Sequence, residues 1–142
     1  MNKHCLDDQL CFKLYAVSRQ VTNMYRPLLE TLDITYPQYL VMLILWECKN
    51  STVRELGKRL YLDSGTLTPL LKRLEQKDLL SRKRDPADER CVIIALTSQG
   101  EVLKQKAEDI PEKMGKCFSL QHSEYLQLRE QLEGLLNNLA TL

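Results

Sequence analysis

Leu67, Leu70, Leu71 and Leu74 recur at i, i+3, i+4 and i+7, which predicts a helix with its leucines packed inward, ending near Gln76. Thr66, Thr68, Lys72, Arg73 and Gln76 fall largely on the opposite face. Asp63-Ser-Gly65 supplies the turn and cap that open it. Just before, Thr52 with Glu55 forms a capping box for a helix ending near Tyr61, with Leu56 and Leu60 inward. Gly57 in that helix allows two helices to approach closely. Tyr39 to Trp46 is apolar on all sides and predicts a central core helix, begun at Thr35 with Pro37 in its first turn. Towards the N-terminus, Leu10, Leu14, Val17, Val21, Met24 and Leu28 alternate at spacings of 4 and 3, giving a buried stripe on a helix from a cap at Asp7 or Asp8 to about Leu32. Cys11, Tyr15, Ser18, Thr22 and Tyr25 form a second stripe beside it, so this helix packs on more than its own domain. A final helix, begun at Ser119 or Ser123, carries Tyr125, Leu126, Leu128, Leu132, Leu135, Leu136 and Leu139 on an apolar face with no domain left to cover it. Both faces point to a second subunit.

After Leu80 the period changes. Leu80 to Arg84 and Cys91 to Leu96 read as short strands, with Val92, Ile93 and Ile94 β-branched. Asp85-Pro-Ala-Asp-Glu-Arg90 between them is a polar hairpin tip flanked by Arg82, Lys83, Arg84 and Arg90. Thr97 caps a return to helix, which Pro111 and Gly115 end or kink. The expected fold is therefore mostly α with a small β-hairpin: a winged helix-turn-helix between N- and C-terminal dimerisation helices. The expected organisation is a single domain over 1–142, with about 6–33 and 98–142 as dimerisation helices and about 34–97 as the winged lobe.

Composition sharpens this only locally. The chain has 142 residues, 44% hydrophobic and 27% charged, with a net charge of +1, so overall charge does not argue for nucleic acid. From Thr52 to Arg90, however, ten Lys or Arg face seven Asp or Glu, a net of +3, against ten and twelve elsewhere. The excess sits on the helix-turn-helix and hairpin. A helix of that face suits a DNA major groove, and hairpin arginines suit phosphates or the adjacent minor groove. Ser64, Thr66, Thr68, Lys72 and Arg73 are the candidate helix contacts, and Arg82, Arg84, Asp88 and Arg90 the candidate wing residues. The N-terminus lacks the apolar region of a secretory signal and the longest apolar run is too short to span a bilayer, so the cytoplasm is expected. Cys5, Cys11, Cys48, Cys91 and Cys117 show no CxxC or paired Cys/His spacing, so neither a disulfide framework nor a metal or other cofactor is expected. His4 and His122 are isolated and read as surface residues, Cys48 and Cys91 as structural, and Cys5 as part of a frayed end. If Asp7 or Asp8 caps the first helix, Cys11 sits in its first turn, near the positive end of the helix dipole.

Asp88-Glu-Arg90 followed by Cys-Val-Ile-Ile-Ala-Leu96-Thr97 resembles the wing pattern of the MarR family of dimeric winged-helix repressors. Gln9-Leu-Cys-Phe12 with Tyr15, Ile34-Thr-Tyr-Pro-Gln-Tyr39, Leu45-Trp-Glu47 and Tyr61-Leu-Asp-Ser-Gly-Thr-Leu-Thr-Pro69 together resemble its organic-hydroperoxide-sensing branch, over nearly the whole chain. The resemblance implies a homodimer that holds a pseudo-palindromic operator when reduced and releases it on oxidation by an organic hydroperoxide. It implies that Cys11 is the reactive residue, that tyrosines matching Tyr25 and Tyr36 bond it from the partner subunit, and that Arg90, braced by Asp88, enters the minor groove. An apolar surround from Phe12, Leu14 and Tyr36 would favour organic hydroperoxides over hydrogen peroxide. Cys117 lies where some members carry a second, resolving cysteine; otherwise a small thiol or over-oxidation completes the chemistry. Two other readings remain: a related regulator answering a small aromatic ligand or another oxidant, and a thiol peroxidase using Cys11.

Overall fold

The structure, a computed structural model, describes residues 2–140; Met1, Thr141 and Leu142, at the ends of the expected domain, lie outside the described residues. The chain forms two compact units, one ending at Glu108 and the other beginning at Asp109. The first unit opens with a short 3-10 turn, Leu6–Asp8, followed by α1 (Leu10–Glu30). The expected cap at Asp7 or Asp8 is displaced. Both residues lie in the 3-10 turn, Asp8 accepts from the Asn2 backbone N–H at 2.8 Å, and Gln9 occupies the cap position without a side-chain cap bond. Asp33, at φ 54°, turns the chain after α1.

Thr35 caps α2 (Tyr36–Cys48) and forms a reciprocal capping box with Gln38. Tyr39, Val41, Met42, Ile44, Leu45 and Trp46 are buried, so α2 is the spine of the core; Leu43 is its exposed exception. Lys49, at φ 66°, reverses the chain into β1 (Asn50–Thr52). The Thr52–Glu55 box then opens α3 (Val53–Leu60), which ends on Tyr61 in the left-handed conformation. Asp63 caps α4 (Ser64–Gln76) by accepting from the Thr66 N–H at 2.7 Å, so Ser64 and Gly65 belong to the helix and not to the turn. Gly57 is required where α3 meets α4, since a Cβ there would stand 2.7 Å from the Leu62 carbonyl oxygen. Leu56, Leu67, Leu71 and Leu74 are fully buried between these helices, while Leu60 and Leu70 are only half-buried.

β2 (Leu80–Asp85) and β3 (Asp88–Leu96) form the hairpin, and β1 joins it to give an antiparallel sheet in the order β1-β3-β2. Ser51 pairs with Ile94 across β1–β3, and Arg82 pairs with Ile94 across β2–β3. The strands run further than expected, leaving only Pro86 and Ala87 as the tip and placing Asp88, Glu89 and Arg90 on β3. Thr97 caps α5 (Ser98–Lys106), accepting from the Gly100 N–H at 3.0 Å. The buried Trp46 indole donates to the Gly100 carbonyl at 2.9 Å and anchors α5 on the core.

The second unit holds α6 (Ile110–Cys117) and α7 (His122–Ala140). The helix opened at Thr97 ends at Lys106, before Pro111; Pro111 lies in the first turn of α6, where a proline has no intrahelical N–H to lose, and Gly115 lies inside α6 without breaking it. Ile110 and Met114 are buried. Among the described residues no helix is long and apolar enough to cross a membrane.

The expected buried stripe of α1 is largely open in the single chain. Leu10 is 65% exposed, Val17 58% and Met24 37%, and only Leu29 of this helix is buried. Spacing defines which residues share a face; it does not say whether the same chain covers that face.

Candidate functional site

Two surfaces of the first unit carry chemistry. One is the concave side of α3, α4 and the hairpin. Thr66, Lys72 and Arg73 are on α4, whose opposite face is pinned by Leu67, Leu71 and Leu74. Ser64 stands exposed at the helix start. Thr68 is half-buried and its hydroxyl donates to the Ser64 carbonyl at 2.7 Å, which leaves its oxygen lone pairs for an incoming donor. An open cleft of about 980 Å³ runs between α3, α4 and the hairpin, lined by Arg54, Lys58, Ser64, Thr68, Arg82 and Arg90 among others. Arg54 and Lys58, four residues apart on α3, bring further positive charge to this cleft. Sequence reasoning missed them, although a Lys/Arg pair at i and i+4 on the first helix of the motif was a usable signal.

The hairpin residues divide by what they touch. Arg84 donates to the Glu89 carbonyl at 2.8 Å, across the tip. Asp85 accepts from the Ala87 N–H at 2.9 Å and shapes the two-residue turn. Asp88 accepts from the Arg90 backbone N–H at 3.1 Å, so its brace on Arg90 acts here through the main chain, and the Arg90 side chain is exposed. Arg82 is different: its guanidinium donates to Glu75 at 3.0 and 3.2 Å, and its backbone N–H donates to the other oxygen of the same carboxylate. The Arg82 guanidinium holds the Glu75 carboxyl below the usual carboxylate range.

The second surface is the start of α1 with its tyrosines. Cys11 is exposed at the second position of α1. The first amides of that turn have no carbonyl a turn earlier within the helix to bond, and no side chain caps them, so the positive end of the helix is open beside the thiol. Tyr25 and Tyr36 come together at the far end of α1, with ring centroids 4.5 Å apart, and Tyr39 and Trp46 extend the aromatic row into the core at 5.7 and 6.0 Å. Burial pushes the Tyr36 phenol above its ordinary value, which keeps it a proton donor at neutral pH. Cys11 and Tyr25 are fourteen residues apart on one helix, or about 21 Å at helical rise. Within one chain the cysteine and this tyrosine pair do not meet.

The remaining cysteines are not all as expected. Cys48 is exposed and not a buried core residue, since α2 ends there and its thiol donates to the Ile44 carbonyl at 3.1 Å. Cys91 is half-buried on β3, and Cys5 half-buried ahead of the 3-10 turn. Cys117 is exposed at the end of α6, its thiol donating to the Lys113 carbonyl at 3.2 Å. Among the described residues no group of His, Cys, Asp or Glu is placed to hold a metal ion.

A helix-turn-helix with a cationic outer face, followed at once by a basic hairpin, defines a winged-helix transcriptional regulator. The chain belongs to the MarR family of such regulators, in the organic-hydroperoxide-sensing branch. The family described as transcriptional regulator SarA/Rot matches residues 23–107. The organic hydroperoxide resistance transcriptional regulator of Bacillus subtilis (strain 168) is 52% identical over 134 residues, covering 94% of this chain and 91% of its own. Reduced AbfR of Staphylococcus epidermidis bound to DNA superposes with a TM-score of 0.77 at 42% identity, over 95% of this chain and 94% of that one. The same protein has been seen overoxidised on DNA and in a disulfide-formed state, the latter with a TM-score of 0.64 at 41% identity over 96% and 93%. A mutant MarR of Escherichia coli complexed with operator DNA gives 0.84 at 26% identity over 96% and 99%. These relatives are regulators and not enzymes, which removes the thiol peroxidase reading.

Proposed function

We propose that this protein is a homodimeric repressor that holds a pseudo-palindromic operator while Cys11 is reduced and releases it when an organic hydroperoxide oxidises that residue. The observation that carries this reading is the separation within α1. A thiol lies open at one end of the helix and a phenol pair at the other, about 21 Å apart. Two copies with their α1 helices antiparallel would bring each thiol to the other's tyrosines. On oxidation, the Cys11 thiolate takes the terminal oxygen of the hydroperoxide, the O–O bond breaks, and the alcohol leaves after taking up a proton. The resulting sulfenic acid condenses with the Cys117 thiol of a second copy, forming the S–S bond and releasing water. Existing structures of reduced AbfR on DNA and of disulfide-formed AbfR support such a cycle by analogy. In the reduced dimer, two α4 helices enter successive major grooves about one helical turn apart. Thr66, Thr68, Lys72 and Arg73 read or anchor the groove from a helix opened by Ser64, and Arg84 and Arg90 reach the backbone and minor groove. Oxidation releases DNA only if it favours a different spacing of the two lobes.

Operator binding by wild type and Cys11→Ser, with and without organic hydroperoxide, tests this reading. Wild type should lose the operator on treatment and regain it with dithiothreitol, while the serine variant should stay bound throughout. Equal release from both proteins would remove Cys11 as the sensor.

A further inference from the structure

Arg82 stands in an unusual place. It pairs across the β2–β3 ladder with Ile94, which is fully buried, so the two side chains share the inner face of the sheet. The Arg82 side chain remains 28% exposed, and Glu75, one residue after the buried Leu74 on α4 and itself 38% exposed, supplies its counter-charge. The pairing is forked: Oε1 accepts from Nε at 3.2 Å and Nη2 at 3.0 Å, while Oε2 accepts from the Arg82 backbone N–H at 3.2 Å. Among the described residues it is the one ion pair that joins α4 to the hairpin. The strand continues three residues beyond Arg82 to the tip, about 10 Å at strand rise. A tilt of about ten degrees at this joint displaces the tip by about 2 Å, enough to break a hydrogen bond made there.

We propose that Glu75 is a positioning residue for DNA binding: by clamping Arg82 it fixes the distance and angle between the α4 helix in the major groove and Arg90 in the minor groove. Arg82 is thereby a strut and not a phosphate contact. The inference rests on the DNA-binding reading above. It carries a sign that electrostatics alone reverses. Glu75 is an anion on the DNA-facing lobe, so its removal should tighten binding through charge and weaken it if the clamp matters.

The probe is a duplex that the reduced wild-type protein selects from a randomised pool, followed by fluorescence anisotropy. If wild type selects nothing, the DNA-binding reading itself fails. If it does, Glu75→Ala should bind that duplex at least tenfold more weakly, with circular dichroism unchanged. Arg90→Ala should then weaken the Glu75→Ala protein by less than about twofold, because an unclamped wing has already lost that contact. The exchange Glu75→Arg with Arg82→Glu should recover most of the affinity, which also covers the case that Glu75→Ala folds poorly. Arg82→Ala, which removes the other half of the clamp, should lose affinity as Glu75→Ala does. Wild-type or tighter binding by Glu75→Ala, independent effects of Glu75→Ala and Arg90→Ala, failure of the exchange to recover affinity, or wild-type binding by Arg82→Ala would each overturn the proposal.

Discussion

Cys11 carries no unusual neighbour of its own, and that is informative. The residues three and four positions away are Asp7, Asp8, Leu14 and Tyr15, none of them cationic. What the local fold offers is a bare helix start, with Gln9 in the cap position and no side chain on the first amides. In the proposed dimer the donors to Cys11 come from the second copy, where Tyr25 and Tyr36 stand together. Burial holds the Tyr36 phenol protonated well past neutral pH, so it donates and does not compete as an anion. A hydrogen bond to a charged group contributes about 1.5–3 kcal/mol, but a stabilised thiolate is also a weaker nucleophile, so only about half of that, roughly 3- to 10-fold, reaches the rate. Tyr36→Phe and Tyr25→Phe should therefore each slow the oxidation of Cys11 by about threefold or more while leaving the operator affinity of the reduced protein within about twofold. The loss of free Cys11 thiol with time, followed by mass spectrometry after alkylation, gives the rate. Unchanged rates in both variants would detach the tyrosines from the chemistry.

At the scale of the element, two opposing effects meet at Gly57. Alanine is the better helix former by about 1 kcal/mol, yet its Cβ would stand 2.7 Å from the Leu62 carbonyl oxygen, a backbone atom that cannot move aside cheaply. Overpacking of this kind costs about 1–3 kcal/mol, so Gly57→Ala should lower the denaturation midpoint. A raised midpoint in urea would show that close approach is not what the glycine provides. The same locality explains what the sequence could convey. Thr52 with Glu55, Asp63 with Thr66, and Thr97 with Gly100 are legible because each bond closes within three residues. The cap of α1 is not, since the competing bond from Asn2 captures Asp8. Strand β1 has three residues, too few to show a period, and exists only because β3 offers it an edge. Pro111 is equally at home as a helix stop or a first-turn residue, and the pattern does not separate the two. Arg82 reads as one more wing cation because its partner, seven residues back, lies across a turn and belongs to a different element. The outward face of α4 is readable from its leucines, while the contribution of Arg54 and Lys58 emerges only when α3 and the hairpin close one cleft.

The whole molecule is where the single chain is least complete. Leu10, Val17 and Met24 on α1, and Leu128, Leu132, Leu136 and Leu139 on α7, are all at least 37% exposed, and α7 has no buried residue. Helices this long with apolar faces open to water are uncommon in a monomer, and association through them would bury the faces together. Under the proposed function such an arrangement makes the chemistry intermolecular, which separates the two possible fates of oxidised Cys11. If Cys117 of a second copy resolves the sulfenic acid, one equivalent of hydroperoxide links two chains covalently; if a small thiol does so, the chains stay separable in denaturant. Cys5, Cys48 and Cys91 complicate a simple reading, Cys48 most because it is exposed. The informative protein is therefore one with those three cysteines replaced by serine. Limited cumene hydroperoxide should convert it to a species of twice the mass on nonreducing electrophoresis, reversed by dithiothreitol. Adding either Cys11→Ser or Cys117→Ser to that background should abolish the species. Cross-linking that survives Cys117→Ser would mean that Cys11 pairs with Cys11, whereas no cross-link in the parent, with a mixed disulfide formed when cysteine is added, would assign resolution to a small thiol. In that last case release from the operator should depend on the thiol supplied, and the apolar helices would hold the dimer together without any covalent bond between its subunits.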